Sequence, residues 1–92
     1  MAELIAFGNT SATSSDFTVV AGTPKSLYIK PEDAVVNGDA LFLLQHKDSG
    51  GTYTTIANLT PQNITQFGTI TGAGTFRVVR QPSAFGGGLD LE

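Results

Sequence analysis

Apolar and polar residues alternate along most of this chain, and turn-forming clusters cut the alternation into short segments. That is the pattern of half-buried β-strands, and helical spacing is almost absent. Glu3 to Phe7 reads as a short strand or an arm. The Ser/Thr/Gly-rich stretch from Gly8 to Ser15 reads as a loop. Asp16 to Val20 predicts a strand with Phe17 and Val19 on one face. Lys25 to Lys30 predicts the next, with Leu27 and Ile29 inward and Tyr28 outward. Pro31-Glu32-Asp33 breaks it, and Asn37-Gly38 is a strong turn signal because both residue types tolerate φ > 0.

Ala40 to Lys47 predicts the longest strand, and Leu41-Phe42-Leu43-Leu44 suggests burial on both faces at one end. Asp48-Ser49-Gly50-Gly51 turns the chain into a partner strand, Thr52 to Ala57. Thr60 followed by Pro61 resembles a one-turn helix start. Ile64 to Ile70 reads as a strand or an extended connection. Thr75 to Arg80 reads as a strand with Phe76 and Val78 on one face, and Gly88 to Leu91 as a last short strand. About seven or eight short strands in one domain predict an all-β fold, a small antiparallel β-sandwich.

Composition narrows what such a sandwich does. Charged residues are only 14% of the chain, below the usual quarter or so. Few charges with much Ser, Thr and Gly suit a sheet protein whose faces are partly covered by partners, and equally an ordinary Thr-rich antiparallel sheet. The net charge is −3, and the five basic residues do not cluster, which argues against nucleic acid as a partner. The absence of Cys argues against a disulfide framework. The N-terminus lacks a signal-peptide pattern, and no apolar stretch is long enough to span a membrane as a helix. The final Leu91-Glu92 could be a cloning addition or part of the last strand's end.

The candidates for chemistry each have a simpler reading. His46 is the one imidazole, beside a hairpin end, and neither Asp48 nor Ser49 lies in a nucleophile motif. One His without Cys does not make a zinc site. Glu32-Asp33 and Asp39 sit in turn compositions and lack the spaced oxygens of a calcium loop. Gly86-Gly87-Gly88 is followed by neither Lys nor a helix, so it is no phosphate cradle, and it fits the close approach of another backbone. Asn9, Asn58 and Asn63 match the glycosylation triplet, as chance allows in a chain rich in Asn and Thr. Tyr28 and Tyr53 could stack on sugar, although there is no Trp. The reading is of a non-enzymatic protein with no catalytic residue, metal or cofactor.

Two resemblances extend it. Leu59-Thr60-Pro61 through Thr71-Gly72-Ala73-Gly74-Thr75-Phe76-Arg77-Val78 is similar to the E–F corner and F strand of immunoglobulin-like domains. Gly72, Gly74, Phe76 and Val78 stand where that family has Asp, Gly, Tyr and Cys, so neither its tyrosine-corner bond nor its disulfide is expected. The fold implied is broadly immunoglobulin-like.

The chain also resembles small bacteriophage virion proteins that decorate capsids or build head fibres, through KDSGGTYTTIANLT, the GAGTFRVVR strand and the Gly-containing tail. This resemblance implies a virion location and docking on a major capsid protein or another virion protein, with a homo-oligomer left open. Residues 1–7 would then form an arm and residues 85–92 a tail. Leu4, Ile5, Phe7, Phe85 and Leu89 are their candidate contact residues. An adhesion or carbohydrate-binding module is the alternative.

Overall fold

Nine strands carry the alternating segments in the computed structural model, which describes residues 2–30, 40–60, 68–83 and 86–92. They are β1 (Ala2–Gly8), β2 (Ala12–Thr13), β3 (Phe17–Val19), β4 (Lys25–Lys30), β5 (Phe42–Lys47), β6 (Tyr53–Leu59), β7 (Thr69–Ile70), β8 (Gly74–Arg80) and β9 (Gly87–Leu91). They form two antiparallel sheets, one in the order β1-β9-β4-β7 and one in the order β2-β8-β5-β6, with β3 beside β2 on the same edge of β8. The fold is a small antiparallel β-sandwich. A radius of gyration of 12.4 Å matches the roughly 12 Å of a compact chain this long. The last two strands, β8 and β9, lie in opposite sheets, whereas the immunoglobulin F and G strands share one. The likeness to that family is therefore one of two-layer architecture, with a strand order of its own.

The inward faces follow from the alternation. Leu27 and Ile29 pair with Leu91 and Leu89 across β4 and β9. Leu44 of β5 stands opposite Val78 of β8 and Phe17 of β3 opposite Phe76, with Phe42 and Val19 in the same core. Phe42, Leu59, Leu89, Val19 and Val78 are fully buried between the sheets. Each such side chain contributes about 1.5–3 kcal/mol through burial.

Local devices fix the register. Asp48 caps its hairpin, its Oδ1 accepting the N–H groups of Gly50 at 2.8 Å and Thr52 at 2.9 Å. Gly51 supplies the left-handed φ of 86° that this turn needs. Opposite Leu44 and Gln45 the partner strand carries one extra residue, Ile56, and this bulge leaves Ile56 exposed. A second irregularity joins β2 to β3. Thr13 pairs with Val79 and Phe17 with Phe76, so the edge strand again holds one extra residue. Ser14 bridges the gap: its N–H donates to Val78 O at 2.8 Å, and its Oγ accepts the Val78 N–H at 2.9 Å.

Where the sequence suggested an arm and a tail, the structure has paired strands. From Ala2 onward the N-terminal segment is β1, the edge strand against β9. The C-terminal segment is β9, inside its sheet between β1 and β4. The Gly run makes this possible. Gly86 adopts φ 77°, and a Cβ there would lie 2.5 Å from Gly8 O. A Cβ on Gly88 would lie 2.9 Å from both Ile5 O and Phe7 N. Close backbone approach therefore explains the glycines. The turn at Asn37-Gly38 and the helix start at Pro61 fall outside the described residues.

Candidate functional surface

The contact residues expected from sequence separate in space. Ile5 and Leu89 are buried, at 5% and 0% exposure, because each faces the opposite sheet. In this chain they serve the core rather than a surface. Leu4 is half-buried against the same core, and Phe7 is 59% exposed on the β1 edge. Phe85 falls outside the described residues.

Arg80 was not anticipated as a core residue. It is 4% exposed, continuing the inward series Phe76, Val78, Arg80 along β8. Its Nη1 donates to Ala6 O at 2.7 Å and Gly87 O at 2.8 Å, and its Nε to Thr10 O at 2.7 Å. Ala6 and Gly87 belong to one sheet and Arg80 to the other, so the guanidinium clasps the two layers at one end. Backbone dipoles solvate its charge there. Gly8 leaves room for it, since a Cβ at Gly8 would sit 2.8 Å from Nη2.

The outward face of the five-stranded sheet carries a connected polar platform. Arg77 Cζ lies 3.5 Å from the centroid of the Tyr53 ring, a close cation–π contact. Arg77 Nε donates to Gln45 Oε1 at 2.7 Å, and Gln45 Nε2 to Thr55 Oγ1 at 3.2 Å. The Tyr53 hydroxyl donates to Asp16, whose oxygens lie at 2.7 and 2.8 Å. Lys47 Nζ is 3.6 Å from the same carboxylate. The Asp16 hydrogen bond, aided by desolvation, raises the Tyr53 pKa above its usual value. Nearer the Arg80 end, Leu43 pairs with Val79, both half-buried.

On the outward face of the other sheet, Lys30 Nζ lies 2.6 Å from both Asp90 and Glu3. The bond to Asp90, then that to Glu3, raises the Lys30 pKa. Tyr28 pairs with Asp90 on this face. The two tyrosines thus point away from opposite sides of the sandwich, and one face of the Tyr53 ring is covered by Arg77. They do not form a joint sugar platform.

His46 packs at the end of the core, its ring 5.2 Å from that of Phe76. Its neighbour Asp48 is committed to capping the turn. Glu32, Asp33 and Asp39 fall outside the described residues. No group of three or more metal-ligating side chains converges among the described residues.

No family model, curated protein or solved structure matches this chain. Function must therefore be argued from the surfaces themselves.

Proposed function

We propose that this chain is a non-enzymatic structural protein of a bacteriophage virion, which decorates and stabilises a capsid by docking on its subunits. The observation that carries this reading is the outward face of the β2/β3-β8-β5-β6 sheet. Its strands contribute a broad surface whose Arg and Tyr are already held in place. Such a surface suits a protein partner, because Tyr and Arg anchor interfaces and pre-ordered side chains lose little entropy on docking. The half-buried Leu43–Val79 pair beside them offers apolar area to the same contact. The resemblance to small virion proteins supplies the kind of assembly.

The test is immunogold labelling of particles from the source organism with an antibody to this domain. Label over heads is the expected result. Label on tails or fibres would move the role to adhesion, and no labelled particles would remove the virion reading.

A further inference from the structure

The two outward faces of the sandwich differ in charge. On the four-stranded sheet, Glu3 pairs with Asp90, and Asp90 with Tyr28. Reciprocal backbone bonds between Ser26 and Glu92, at 2.8 and 2.9 Å, extend the same register by one residue. The alternation of β4 then sets Ser26, Tyr28 and Lys30 on one face, and Glu92 joins Asp90 there. Among the described residues this face thus carries three carboxylates and one ammonium; Lys30 is engaged by Glu3 and Asp90, while Glu92 lies at the other end of β4, beside Ser26. On the five-stranded sheet the balance is reversed. Among the described residues, Lys47 and Arg77 face outward with one carboxylate, Asp16, which is taken up by Tyr53 and Lys47.

We infer that copies of this chain stack through these unlike faces, the Arg77–Lys47 face of one on the Glu92–Asp90 face of the next. Charge complementarity selects the occupant: the chain carries on its own back the acidic surface that its front fits. Arg77 is the natural anchor. Its guanidinium is fixed by Tyr53 and Gln45 before any contact forms. A planar fork so held loses little freedom in binding a carboxylate. The net charge of −3 repels copies at a distance, so the local match sets orientation at contact and keeps association weak. The joined faces are different and lie on opposite sides, so the contact is heterologous. It leaves an unused face at each end and therefore builds rows or closed rings rather than a two-fold dimer. The stacking face is the one proposed above for docking, so in a row only the copy whose Arg77 face is uncovered keeps it for another partner.

Sedimentation velocity of the full chain into the millimolar range tests it, with circular dichroism confirming that each variant is folded. The wild type should pass beyond dimer as concentration rises. Arg77→Glu and Glu92→Lys, each spoiling one face, should weaken self-association about tenfold or more. Mixed together they should associate again and grow past the dimer, because each supplies the face the other lacks and the two reversed charges also match. Lys47→Glu replaces Arg77→Glu should the latter unfold. A wild type that stays monomeric would overturn the inference. So would a dimer that saturates at two copies, or a mixture that behaves as the sum of its parts.

Discussion

Arg80→Met keeps most of the side-chain volume and the apolar stem but deletes every donor. Three carbonyl groups then lose their partner: Gly87 O in a buried setting, and Ala6 O and Thr10 O in partly buried ones. An acceptor left dry costs about 1–3 kcal/mol, and one that water can still reach about 0.5–1.5 kcal/mol. The three together come to roughly 4 kcal/mol, within a range of about 2–6. Removing a buried charge works in the opposite direction. Where a whole buried ion pair is replaced by apolar groups, stability often holds or improves. Here the acceptors are backbone and stay behind, so the loss should dominate. A domain this small has about 5–10 kcal/mol to lose. At about 4–8 °C per kcal/mol, the central value of roughly 4 kcal/mol lowers the melting temperature by about 16–32 °C. Thermal and urea unfolding followed by far-UV circular dichroism measure this directly. Arg80→Lys keeps the charge with a single donor group and should fall between the two. A methionine variant as stable as the wild type would refute the clasp as a source of stability.

Ser14→Ala should lower stability by about 1–3 kcal/mol, since the Val78 N–H then has no acceptor at the bulge, and Ser14→Thr should recover part of the loss. Amide exchange at Val78 reports the same change, and an unaltered exchange rate there would mean that the backbone has healed the gap. Alkaline pH should weaken the fold. Tyr53 and Lys30 hold their protons more tightly in the native state than when unfolded, so their contribution is whole below about pH 10 and fades as pH climbs through the raised native values. Urea midpoints between about pH 9 and 12 should fall more steeply for the wild type than for Tyr53→Phe with Lys30→Met. Parallel profiles would contradict the assignment.

Elements with strict alternation were legible in the sequence. Phe17 and Val19, Leu27 and Ile29, and Phe76 and Val78 all face the core as the pattern required. The same alternation, carried two residues further, would have placed Arg80 inside. Charge argued for the surface there, and only the three carbonyls at the end of the sandwich reverse that preference. The core positions of Ile5 and Leu89 were less accessible, because neither segment reveals which strands will flank it. β2 escaped notice because two residues carry no period. The platform could not be read at all: Asp16 and Tyr53 are 37 positions apart, and strand order alone makes them neighbours.

Strand order also governs when this protein can begin to exist. Ala2 pairs with Leu91, Ala12 with Arg80, and Phe17 with Phe76, so the earliest residues wait for the latest. The β5–β6 hairpin is the main pairing that needs only nearby chain. Such non-local closure places folding on the millisecond-to-second side of small domains. Synthesis makes the wait longer. At about 5–20 residues per second, a nascent chain spends several seconds with β1 and β4 made and β9, the strand that joins them, still missing. During that interval the exposed edges are open to other chains, and this sheet can close only once β9 has emerged.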